Sequence, residues 1–135
     1  MRNFASLIKL ARFKVEDLQK QMAALDSARA HLESRIADLV RSVPEEQVAA
    51  SETREGFMAY GSYAQAVIER KNNLRASMVE LDAQTAALRV QLADAFRELK
   101  KFELMEERRL ARLEEARAKA EQAELDEIAG TRAAR

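Results

Sequence analysis

From Phe4 onward, apolar residues return at alternating spacings of four and three: Phe4, Ile8, Ala11, Val15, Leu18, Met22, Leu25, Arg29, Leu32, Ile36, Leu39 and Val43, with Arg29 the one polar member. A spacing that averages about 3.5 under-winds a helix so that one stripe keeps facing a partner in a left-handed supercoil. Asn3 stands just ahead of the stripe, where its side-chain oxygen can accept from an orphan amide of the first turn. A second stripe runs Phe57, Tyr60, Ala64, Val67, Lys71, Leu74, Met78, Leu81, Thr85, Leu88, Leu92, Ala95, Leu99 and Phe102, interrupted by Lys71 and Thr85. The same register then meets Glu106 and Arg109, recovers Leu113 and continues through Ala116, Ala120 and Ala123. The seam fades there while helix propensity persists, until Gly130 offers a stop.

Between the stripes lies RSVPEEQVAASETREG, residues 41–56. Proline inside a helix forfeits a hydrogen bond and crowds the preceding turn, but it suits the first helical position, and Ser42 with Glu45 has capping-box spacing. The pattern predicts helix 1 over about 4–41, a turn within 42–55, helix 2 over about 56–128 and a frayed tail at 129–135. Two long seams joined by a short connection predict a single all-α domain spanning the chain, an elongated antiparallel two-helix coiled-coil hairpin with an overhanging C-terminal helix. An apex near residue 48 would set Leu39 beside Phe57 and Phe4 beside Leu92, leaving the chain after about Arg97 without an intrachain partner.

Composition narrows the chemistry. The 135 residues include 23 Lys plus Arg, 23 Asp plus Glu, one Pro, three Gly and no Cys. Ala, Leu, Glu, Lys and Arg dominate and aromatics are 5%, the balance of solvent-washed helices. Without cysteine there are no disulfides and no thiolate metal sites, which fits a cytoplasmic setting. No stretch approaches the roughly 18 apolar residues of a membrane span, and Lys9 and Arg12 interrupt the first segment before it reaches signal-peptide length. Zero net charge removes the long-range field of a dedicated nucleic-acid binder, so nucleic acid is not an expected partner.

Catalytic constellations are missing. His31, the only histidine, has Arg35 at i+4 where a second ligand would be needed, and Gly56 and Gly61 stand among aromatics and Glu rather than in a phosphate loop. Acidic pairs such as Glu106 with Glu107 and Glu114 with Glu115 lie beside arginines at ion-pair spacing. The expectation is a non-enzyme with no cofactor and no metal.

Two surface features are candidates for partner binding. Arg2, Lys9, Arg12 and Lys14 gather near the N-terminus, where an antiparallel partner would bring Arg89, Arg97, Lys100 and Lys101 close, a basic collar suited to an acidic protein surface. FMAYGSYAQAV places Phe57, Tyr60 and Tyr63 near the tip, either as packing or as an exposed anchor, for which Tyr is favoured.

The segments LIKLARFKVEDLQKQMAAL, FMAYGSYAQAVIERKNNL and AFRELKKFELMEERRLARLEEARAKAEQAELDEIA, in that order over nearly the whole chain, resemble the FliJ family of flagellar type III export proteins, above all its alphaproteobacterial branch. The resemblance implies a stalk and adaptor that inserts its open coiled-coil end into the hexameric export ATPase, promotes its assembly and activity, contacts the membrane export gate and escorts substrate chaperones. It places residues about 1 to 20 with 90 to 130 toward the ATPase and the surface around Phe57, Tyr60 and Tyr63 toward the gate. The implied location is the cytoplasmic face of the inner membrane at the flagellar base, with membrane contact only through protein partners. The equivalent stalk of a virulence-type secretion system and a generic dimeric coiled-coil scaffold remain alternatives.

Overall fold

The computed structural model describes residues 3–134, and Arg2 of the proposed collar lies outside them. Two helices account for the fold, α1 (Ala5–Ser51) and α2 (Arg54–Ala134), and they pack against each other as an all-α helical hairpin with no strand among the described residues. The chain divides into two units, Asp17–Leu92 and Met1–Glu16 with Ala93–Arg135.

The Asp17–Leu92 unit contains the reversal. The predicted first seam holds throughout it: Leu18 is buried, and Met22, Leu25, Arg29, Leu32, Ile36, Leu39 and Val43 are all half-buried. On α2, Val67, Leu81, Thr85 and Leu88 are buried. The polar members of the seam are accommodated in different ways. Thr85 donates its hydroxyl to the Leu81 carbonyl at 2.9 Å, so nothing polar is left unsatisfied there. Arg29 leans out of the seam, pairing with Glu33 on its own helix and, at 2.9 Å, with Asp82 across the interface. That cross-helix bond fixes residue 29 level with residue 82.

The turn falls at Glu52 and Thr53, inside the expected 42–55, but the helix that leads into it is longer than expected. Helix 1 does not end near 41, nor does a new helix start at Pro44. Instead α1 runs through Pro44 to Ser51. Pro44 and Val40, whose carbonyl would have received the missing N–H, are both exposed, and the following EEQVAAS is rich in helix formers. Ala50, half-buried, holds this last stretch against the start of α2. Ser42 caps nothing. Its hydroxyl donates to the Leu39 carbonyl at 2.8 Å, so Tyr63 must donate to Ser42 in the 2.9 Å contact between their oxygens. The cap that counts is Thr53, whose Oγ1 accepts from the Gly56 amide at 2.9 Å, the N3 position of α2.

Gly56 sits where the start of α2 passes close to the Ala50 backbone at the end of α1. A Cβ there would lie 2.7 Å from Thr53 Oγ1 and 3.3 Å from the Ala50 backbone, whereas a Cβ at Gly61 meets nothing within 4 Å. Gly61→Ala should therefore stabilise the hairpin by up to about 1 kcal/mol through helix propensity alone. Gly56→Ala gains the same propensity but must displace the Thr53 cap, itself worth about 1 kcal/mol, and press on the Ala50 backbone. Urea midpoints for the pair should move in opposite directions, and a matching rise in both would refute the close approach.

In the other unit, Ala11 and Val15 of α1 and Ala95 of α2 are buried, with Phe4, Ile8, Leu99, Phe102, Glu106 and Arg109 half-buried. The Phe4 amide donates to Glu106 Oε2 at 2.9 Å. Phe4 thus meets Glu106, not Leu92, and the turn at Glu52 and Thr53 instead of near 48 accounts for most of that shift. The stretch of α2 without a partner begins after Arg109 rather than Arg97, and all the described residues from 110 onward are exposed. Gly130 is no stop: Thr131 donates to the Glu127 carbonyl at 2.9 Å and the helix continues to Ala134, through the expected tail.

Candidate functional site

The most structured polar feature outside the regular seam is built at the start of α1. Asn3 accepts from the Ala5 amide at 3.3 Å, and Phe4 opens the helix by accepting from the Ile8 amide at 2.8 Å. The Phe4 N–H is one of the amides that a helix N-terminus leaves unpaired, and Glu106 supplies its acceptor. Arg109, one turn along α2, grips the same carboxylate with two bonds, Nη2 to Oε1 at 2.6 Å and Nε to Oε2 at 3.1 Å. The side chains of Arg109 and Glu106 are only 18% and 19% exposed. Their hydrogen bonds, Arg109 first and the Phe4 amide second, hold the Glu106 carboxyl down to about 2. A negative charge at the start of α1 also complements its helix dipole. In the heptad pattern alone Glu106 and Arg109 mark the fading of the seam. The available signal was their i, i+3 spacing on consecutive seam positions, which becomes decisive once the turn is placed at residue 53.

The collar residues Lys9, Arg12, Lys14, Lys100 and Lys101 are all exposed. The Phe4–Glu106 bond puts Lys9 about level with Lys101 along the helix pair. Lys101 Nζ also lies 5.8 Å from the Phe102 ring centroid. The collar is not purely basic, since Asp94 pairs with Arg97 at 2.7 Å and half-buried Glu103 lies among these residues.

Near the turn the aromatic cluster divides. Phe57 is 72% exposed and leaves the seam, its expected place being taken by Gly56, because the close approach at Ala50 leaves no room for a ring. Tyr60 and Tyr63 are half-buried, with ring centroids 6.2 Å apart and planes tilted by 37°. Tyr63 also borders an open groove of about 650 Å³ lined by Arg35, Asp38, Leu39, Val67 and Arg70 among others. His31 is exposed. Among the described residues no group of three His, Cys, Asp or Glu is placed to hold a metal ion, and no helix is long and apolar enough to cross a membrane.

Two long helices packed along heptad seams place the chain in the class of all-α coiled-coil hairpins. The family model described as Flagellar FliJ protein matches residues 1–135. Two relatives named Flagellar FliJ protein, from Caulobacter vibrioides strains NA1000 and ATCC 19089, are each 31% identical over 134 residues, covering 96% of this chain and 94% of the relative. The chain belongs to the FliJ family of flagellar export proteins. No solved structure matches it.

Proposed function

We propose that this chain is the non-enzymatic stalk and adaptor of a flagellar type III export apparatus. It inserts the end that carries the α1 N-terminus and the continuing α2 into the ring of the hexameric export ATPase, stimulates that ATPase and links it to the membrane export gate. An escort role toward substrate chaperones belongs to the same reading. The observation that carries it is the family match over the whole chain, joined to a helix that continues from residue 110 with every described side chain open to a partner. A single asymmetric helix pair in a six-fold ring makes the six subunits inequivalent and biases their cycle. On this reading the protein works at the cytoplasmic face of the inner membrane, and Phe57, Tyr60 and Tyr63 form the gate-facing surface.

Titration into the cognate ATPase, reading ATP hydrolysis and ring assembly together, tests the proposal. Stimulation should saturate near one chain per ring and should weaken when Lys9 and Arg12 are both changed to Glu. Absence of any effect at saturating chain, with a stable dimer in solution, would favour a coiled-coil scaffold. Stimulation confined to a virulence-type ATPase would reassign the system.

A further inference from the structure

The face of α1 turned away from the seam in its first turns is both apolar and cationic. Leu10 and Phe13 are 67% and 68% exposed, and Leu7 is also exposed. Leu10 and Phe13 are three residues apart, so their side chains are neighbours on the helix surface. Lys9 and Lys14 border them on either side, with Arg12 beyond Lys9 at the edge of the face, all on long stems that can lie along the apolar surface while the charge reaches outward. The sequence holds no acidic residue before Glu16. Among the described residues Lys9, Arg12 and Lys14 have no ion-pair partner, a condition they share with Lys100, Lys101, Arg108 and Arg112 of the same unit, so what sets this face apart is the pairing of its cations with exposed Leu10 and Phe13.

We propose that this face docks on an anionic lipid surface. A helix that presents exposed large apolar side chains flanked by unmatched Lys and Arg is suited to lie in the plane of a membrane interface, with its rings and methyl groups among the acyl chains and its cations at the headgroups. The face is a convex strip of one helix and needs no shape-matched cleft, which favours a bilayer over an acidic protein groove. The docking uses side chains that the seam does not, so α1 stays packed on α2. For this face it replaces the expectation that membrane contact runs only through protein partners. Lys9 and Arg12 are also the cations that the stalk reading turns toward the ATPase, so lipid docking and ring insertion are alternative engagements of this end, and vesicle binding is measured with no ATPase present.

Sedimentation of the full chain with vesicles tests it, comparing phosphatidylcholine alone with phosphatidylcholine containing phosphatidylglycerol. Partition onto the anionic vesicles should be at least about tenfold stronger at low salt and should fall as salt screens the charges. The double variant Leu10→Ser with Phe13→Ser should lose most of that partition while keeping its helical circular dichroism, because both residues are exposed. Val79→Ser, which removes an equally exposed apolar side chain from the other unit, should leave it unchanged. Equal partition onto neutral and anionic vesicles, or none onto either, overturns the proposal. So does unchanged partition of the double variant, and loss of ATPase stimulation in that variant without any vesicle binding would assign the face to a protein partner instead.

Discussion

Replacing Leu88 with alanine is expected to lower the unfolding free energy by about 2–3 kcal/mol, read as a lower urea midpoint. Leu88 is 6% exposed, in a seam only two helices thick. Burying a leucine removes roughly 1.5–3 kcal/mol worth of apolar surface from water, and truncation also leaves a void that neighbours only partly fill. A thin seam lets solvent and side chains close over that void, which holds the loss to the lower part of the usual Leu→Ala range. Leu125→Ala is the matched control. The same atoms are removed, but Leu125 is 54% exposed on the part of α2 that has no partner, so its effect should stay within about 0.5 kcal/mol. Equal losses for the two variants would contradict the assignment of the seam.

Reversing the charge at Glu106 should free the beginning of α1. In Glu106→Lys the Phe4 amide loses its acceptor, Arg109 loses the carboxylate it grips, and a cation faces the positive end of a helix dipole. Amide hydrogen exchange at Phe4 and through the first two turns of α1 should accelerate, while the amides near Leu32 and Leu81 keep their protection. Acid should reproduce the effect in the native chain. The folded-state value of Glu106 is about 2, below the usual carboxylate range, so its stabilising contribution is complete above about pH 4.5. It fades as the pH falls through the folded-state value near 2. Glu106→Gln, which keeps an acceptor oxygen but no charge, should remove that part of the pH dependence. Persistence of the full acid response in the Gln variant would mean that another carboxylate carries it.

The heptad stripes were legible because burial in a two-helix seam repeats with the period of the sequence. Every predicted seam position of α1 proved buried or half-buried, and on α2 the agreement runs from Tyr60 to Phe102. The turn was harder to place because its determinants are local and compete. Pro44 and the Ser42–Glu45 spacing argued for a break that packing at Ala50 overrides, while Thr53 is an unobtrusive cap within SETREG. That local choice then shifted every cross-helix pairing, which hid the meeting of Phe4 with Glu106. Phe57 illustrates the same dependence: apolar and in phase, it is nevertheless displaced, and the glycine one residue earlier faces the Ala50 backbone instead. The lysines of the collar and the unmatched cations of α1 could be named from composition, but their freedom from ion pairs could only be seen once both helices were in register.

From residue 110 to Ala134, α2 is held by its own residues alone. Arg117 reaches back to Glu114 at 2.7 Å and forward to Glu121 at 2.9 Å, and Lys119 to Glu115 at 3.4 Å, on a background of alanines. Bonds of this kind ask only for opposite charges one turn apart, so many sequences meet the requirement equally well. Shape and recognition are therefore separable in this segment. Its outward side chains can be rewritten to suit a new binding partner with little penalty to the hairpin, a latitude that the seam residues, each answerable to a neighbour on the facing helix, do not share.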